Sequence, residues 1–140
     1  MTLRRLKRDQ RGVATIEMAF AFPVLIIMIW MIVELGMVYR GLAGIQQALG
    51  EGARYATLCL TPTASGCTAP TADSIKTRIQ ASVYGVKPGT FTVADPAYGT
   101  SGSSNFYDLR VTYSQPTSLL VLPGPTISVS RSKRVWIATS

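Results

Sequence analysis

The sequence predicts an α+β fold: a long N-terminal transmembrane α-helix followed by a short helix and a small antiparallel sheet. Three observations lead there. The window from Val13 to Tyr39 holds 27 residues interrupted only by Glu17 and Glu34. Past that window, apolar residues keep stepping at helical spacing. Toward the C-terminus the apolar period changes to two, as in YDLRVTY from Tyr107 to Tyr113.

The first element is the apolar window. Met18 to Val33 carries no charge, which is sixteen residues or roughly 24 Å of helix, and the full window makes roughly 40 Å. A hydrocarbon core is about 30 Å thick, so one tilted span fits. Ahead of it stand Arg4, Arg5, Lys7, Arg8 and Arg11 against Asp9. More than half of the chain's net +7 therefore sits in its first twelve residues. A basic flank before an apolar helix places the N-terminus in the cytoplasm and the C-terminal part outside. Binding of nucleic acid is the competing reading of a basic tail, and the immediate membrane helix disfavours it. Cleavage as a signal peptide is a further alternative. It fits less well, because the run exceeds a signal h-region and Leu42-Ala43-Gly44 is a weak cleavage site.

Pro23 removes one backbone bond and is expected to kink the helix. Beyond Tyr39, Leu42, Ile45, Leu49, Gly52 and Ala56 form a narrow seam, suited to packing on a partner or on the chain's own globular part. One rod from about Val13 to Thr57 is expected, with Glu17 in its first turn. Glu34 lies about 25 Å from Glu17 along the axis. It reads either as a wetted edge residue or as a contact to a partner helix, together with Leu42, Ile45 and Leu49.

Leu60 to Pro70 reads as loop. Thr71 or Asp73 can cap a second helix through Ile75, Ile79 and Val83, ending at Gly85. Strands follow at Thr90–Ala94, with Phe91 and Val93 on one face, and around Tyr107–Tyr113. A third begins at Ile127 and Val129 and resumes through Val135 and Ile137. Asp95 to Ser104 reads as a flexible connection. TSLLVLPGP, from Thr117 to Pro125, reads as an apolar loop. It either plugs the core under the sheet or forms an exposed patch for a partner or a membrane surface. The resulting divisions are 1–12, a basic cytoplasmic leader; 13–39, the transmembrane helix; 40–58, its exported continuation; and 59–140, a small α+β domain.

The chain has two cysteines and no histidine. If the C-terminal part is exported, Cys59 and Cys67 should oxidise to a disulfide across a short loop. The pair alone makes a poor zinc site, which wants four ligands, so neither metal nor cofactor is expected. Without histidine, acid/base chemistry near neutral pH needs shifted carboxylates or lysines, and the acids outside the membrane window are scattered. No nucleophile elbow or nucleotide-binding motif occurs. The expectation is a non-enzyme without a small-molecule substrate.

Glu17 raises a separate question, since a carboxylate at the mouth of a membrane span is costly. A cut after Gly12 would place a new amine on Val13, one turn from Glu17 and on the same face. In an assembly, that amine could pair with Glu17 of a neighbour. The pairing would lower the burial cost of both charges and register the helices. The blander reading makes Glu17 a marker of the cytoplasmic edge.

The stretch RGVATIEMAFAFPVLIIMIWMIVELGMVY, followed by QQALGEGARYAT, resembles a TadE-like pseudopilin of the tight-adherence (Flp) pilus system, related to type IV prepilins. The features that match are Arg11-Gly12, Glu17, F-x-x-P from Phe20 to Pro23, E-x-G at 34–36 and E-G-A-R-Y-A at 51–56. They cover Arg11 to Thr57, about a third of the chain. The resemblance implies cleavage between Gly12 and Val13 by a membrane-embedded prepilin peptidase, with Glu17 as the assembly glutamate. It also implies the bacterial inner membrane as location, with other pilin-like subunits and a pilus assembly platform as partners. Met18 stands where the major Flp pilins usually have tyrosine, and the chain is longer than theirs. Both departures point to a minor pilin or pseudopilin. The alternative is an unprocessed single-pass anchor presenting a periplasmic or surface binding domain.

Overall fold

The computed structural model describes residues 11–59, 66, 68–83, 89–119 and 122–137. Helix α1 runs Arg11–Ala56 without interruption, through Pro23. The rod is thus one element, and it is helical from the first described residue, Arg11. Glu17 follows six residues after Arg11 on the same helix. The C-terminal end is closed locally. The Thr57 N–H and hydroxyl both donate to the Arg54 carbonyl, and Arg54 sets a cation in the last turn.

Helix α2 runs Ala72–Ser82. Thr71 is its N-cap, in extended backbone, and its hydroxyl accepts from the Ser74 N–H at 3.3 Å. Thr71→Ala should lower the stability of the head by about 1 kcal/mol, read as a shift in thermal unfolding of the detergent-solubilised chain. The helix ends at Ser82 with Val83 as C-cap, and the expected stop at Gly85 lies outside the described residues. So does most of the loop expected over Leu60 to Pro70, and so does the basic leader up to residue 10.

The sheet is antiparallel and has four strands: β1 Thr90–Val93, β2 Ala97–Ser101, β3 Ser104–Leu119 and β4 Leu122–Ile137. β3 is central. β4 pairs along its whole length on one side, while β1 and β2 follow end to end on the other. Val93 lies opposite Val111 and Ala97 opposite Asp108, so the β1–β2 edge carries one extra residue around Asp95-Pro96. That is a bulge, and proline is tolerated at such a point.

Two expectations are corrected here. Asp95 to Ser104 is not only a flexible connection, because it contains β2, which turns into β3 across Gly102-Ser103. Gly102 has φ +60°, a conformation glycine adopts freely, so the tight hairpin was signalled by Gly-Ser. The described residues of TSLLVLPGP, all but Leu120 and Val121, are likewise strand rather than loop. Thr117–Leu119 finishes β3 and Leu122–Pro125 opens β4, with Leu122 65% exposed. Pro123 and Pro125 made it read as a loop, but β4 is an edge strand whose register against β3 shifts between Pro116 and Ser118, and proline is accommodated at edge strands and bulges.

The core forms where α1 and α2 cover one face of β3. Ile45, Ala48, Leu49, Ala53 and Ala56 of α1 meet Ile75 and Ile79 of α2 and Leu109, Val111, Tyr113 and Val135 of the sheet. Each fully buried Ile, Leu or Val there contributes about 1.5–3 kcal/mol. Close approach depends on two glycines of α1. A Cβ on Gly41 would enter the Tyr113 ring, and one on Gly52 would strike Ile79. The seam therefore packs on the chain's own head. Its centre runs through Val38, Gly41, Ile45, Gly52 and Ala56, while Leu42 sits at its half-buried margin.

Candidate functional site

Residues 12–29 of α1 are all exposed. Val13, Ile16, Met18 and Phe20 are all more than half exposed, with Phe20 at 74%, and Glu17 is exposed among them. Among the described residues, nothing lies within 4 Å of where a Gly12 side chain would begin. None of the most apolar stretch of the helix is buried within the chain. A continuous apolar surface of this size requires cover. A single bare helix of this length is what a single-pass membrane anchor needs. Gly12 and Val13 thus lie at the accessible end of that helix, with Glu17 one turn beyond Val13.

Glu34 stands differently. The end of the β3–β4 hairpin folds back along α1 and surrounds its carboxylate with donors. Oε2 accepts from Gln115 Nε2 at 3.1 Å. Oε1 accepts from the Ser118 hydroxyl at 3.1 Å and from the Ser118 N–H at 3.3 Å. One turn earlier, Trp30 Nε1 donates to the Ser118 carbonyl at 2.9 Å. The Tyr113 hydroxyl donates to Gln115 Oε1 at 2.5 Å. Gln115 and Tyr113 are fully buried, so the orientation of the Gln115 amide is set by the chain of bonds: its oxygen faces the phenol and its NH2 the carboxylate. Among the described residues, no buried side-chain polar atom lacks a partner.

Hydrogen bonds to a charged group contribute about 1.5–3 kcal/mol each. Three of them offset much of the cost of holding a carboxylate at the edge of a membrane span, about 2.5–3.5 kcal/mol at its centre. Glu34 is therefore more than a wetted edge residue: its carboxylate joins the membrane helix to the head of the same chain. Ile45 and Leu49 are likewise placed in the chain's own core. Trp30, Tyr113, Gln115 and Ser118 were not singled out from the sequence. The one signal was Glu34 itself, a carboxylate in an apolar window, which demands donors from somewhere.

Burial pushes the Tyr113 phenol above the ordinary 10.0, and the Glu34 charge pushes it the same way. The native chain thus keeps this proton where the unfolded chain loses it. The stabilisation is fully present below about pH 10 and declines as pH rises through the raised native value. Denaturation midpoints should fall above about pH 10 in the wild-type chain, and fall less in Tyr113→Phe.

Cys59 is buried at the foot of α1, while its expected partner Cys67, and with it the pairing, lies outside the described residues. Among the described residues, no three His, Cys, Asp or Glu side chains converge as metal ligands would. Asp108 and Arg134 form an exposed two-point ion pair on the far face of the sheet. The Arg134 hydrogen bond holds the Asp108 carboxyl below its usual range.

Residues 12–54 match the family model described as TadE-like protein. That segment begins at Gly12 and takes in the bare apolar helix, Glu34 and the seam as far as Arg54. It nearly coincides with the stretch whose motifs carry the resemblance. Helix α2 and the sheet lie beyond it. No curated protein and no solved structure matches the chain.

Proposed function

We propose that this chain is a membrane-anchored pseudopilin or minor pilin that supports assembly of a tight-adherence pilus. A prepilin peptidase removes residues 1–12, and the bare helix then packs among other pilin-like subunits at the assembly platform. The observation that carries this is the coincidence of two things in one segment: the TadE-like match runs from residue 12 to residue 54, and the most apolar stretch of the helix within it has no cover in the chain. Both fit a pilus-associated membrane protein.

In this reading each part of α1 has a task. The N-terminal half is held in the inner membrane, with the leader in the cytoplasm and the head in the periplasm. After cleavage, the Val13 amine and Glu17 supply complementary charges for registration between subunits. One face of the C-terminal half is occupied by the head, so assembly contacts made by α1 fall on the bare N-terminal part and on the exposed face that carries Tyr39, Arg40, Ala43 and Gln46. The role is structural, and the chain is a peptidase's substrate rather than an enzyme.

The experiment is the intact mass and N-terminal sequence of the protein extracted from native membranes. A chain beginning at Val13 is expected. A chain retaining Met1 to Gly12 in cells with an active prepilin peptidase would overturn the proposal in favour of an unprocessed anchor that displays its head. Glu17→Ala should be cleaved normally and then fail to enter assemblies, seen as loss of cross-linked oligomers with an unchanged mature mass.

A further inference from the structure

The β3–β4 hairpin sits at an unusual height. Its end is pinned to α1 between Trp30 and Glu34, by the Trp30 to Ser118 bond and by the two Ser118 donors to Glu34. Trp30 belongs to the uncharged stretch Met18–Val33. A span needs about 20 residues, and any window of that length covering the stretch contains Trp30. Counted from Glu17, Trp30 lies about 20 Å along the axis, inside a core about 30 Å thick. The hairpin end is therefore held beside the helix at membrane depth.

Its chemistry suits that place. Between Arg110 and Arg131 there is no charged residue, although the hairpin continues to Arg131, Lys133 and Arg134 at its far end. The uncharged half of the hairpin is the half that descends along the helix. The two strands stay paired down to Leu119 opposite Leu122. Ser118, beyond the reach of β1, spends its free N–H and C=O on Glu34 and Trp30. Pro123, opposite Ser118, has no backbone donor to leave unpaired. Each of these lowers the cost of placing sheet backbone near hydrocarbon. Between hairpin and helix runs a cleft of about 460 Å³ walled by Met31, Ile32, Leu35 and Val38 on one side and Pro125 and Ile127 on the other. The helix wall continues directly into the membrane-spanning surface.

We propose that the hairpin end is a second membrane-seated element. It dips into the leaflet on the head's side, with Leu122 in the acyl region and lipid chains filling the cleft. The proposal rests on α1 being a membrane span. The bilayer is favoured over another subunit because the cleft opens onto the surface that the bilayer must already cover. The consequence is orientation: with two points in the membrane, the head cannot swivel freely about the helix axis.

The test uses the full chain in phosphatidylcholine vesicles at low protein-to-lipid ratio. The chain has two tryptophans, so Trp136→Phe leaves Trp30 alone as a reporter of the span. Adding Leu122→Trp to that variant reports the hairpin, and because Leu122 is exposed the change leaves the core intact. Two quenchers are compared: phosphatidylcholine brominated high on its acyl chains, and aqueous acrylamide. The expected result is that the Leu122→Trp emission is blue-shifted, loses most of its intensity to the brominated lipid and resists acrylamide. Quenching by acrylamide alone, with Trp30 still quenched by the lipid, would overturn the hairpin proposal and leave the span standing. Shielding from both quenchers would also overturn it, and would put another subunit on the hairpin. Trp30 untouched by brominated lipid would remove the span itself, and the hairpin proposal with it.

Discussion

Gly12→Leu chains should accumulate in the membrane at full length, with the mature form absent. Among the described residues, nothing lies within 4 Å of where the new side chain would begin, so no described packing is disturbed there. Position 12 lies in the first turn of α1, where leucine is if anything a better helix former than glycine, by up to about 1 kcal/mol in a helix interior. A loss of maturation therefore reports on recognition by the peptidase, since neither insertion nor folding is impaired. The measurement is the intact mass of the extracted chain, which should include Met1 to Gly12, together with thermal unfolding of the head, which should be unchanged. Normal maturation of Gly12→Leu would remove the reason for reading position 12 as a processing site. An intact precursor that still supports full pilus assembly would show that cleavage is not needed for the role.

Gln115→Leu should destabilise the folded head by about 2–4 kcal/mol. The glutamine is fully buried and serves both neighbours, accepting from Tyr113 and donating to Glu34. Leucine of similar volume leaves the phenol without an acceptor and the carboxylate short of one donor, each at about 1–3 kcal/mol. Adding Tyr113→Phe removes the stranded hydroxyl and should recover about 1 kcal/mol. Adding Glu34→Leu as well should recover more, since all the groups that need one another are then apolar. If the single and triple variants unfold at the same midpoint, the network contributes nothing that packing does not. The cycle separates the two because the members of one network are not additive.

The two halves of the chain differ in how plainly they could be read. Helix α1 was legible because its signal is long: sixteen uncharged residues and then a seam extending to Ala56 leave no other regular structure available. The cap at Thr71 and the alternation through Leu109, Val111 and Tyr113 were legible because local backbone chemistry and the strand period of two are both written within a few residues. The bare surface around Gly12, Val13 and Glu17 follows from the same composition, since no other segment carries enough apolar surface to cover it.

What the tertiary structure decided lies wherever a residue's meaning depends on one far along the chain. β2 is held by pairing with β3, which outweighs the glycine and serines that make Asp95 to Ser104 look unstructured. Thr117–Leu119 and Leu122–Pro125 become strand because β3 and β4 stay paired past a register shift between Pro116 and Ser118, and that pairing carries Ser118 back to Trp30 and Glu34, more than eighty residues away. Ile45 and Leu49 suit a partner helix or an intramolecular core equally well by spacing, and only the placement of α2 and the sheet chose the core. Periodicity states which face of an element is apolar. Which surface meets that face is settled by long-range packing, and the junction at Glu34 exists only once that packing is complete.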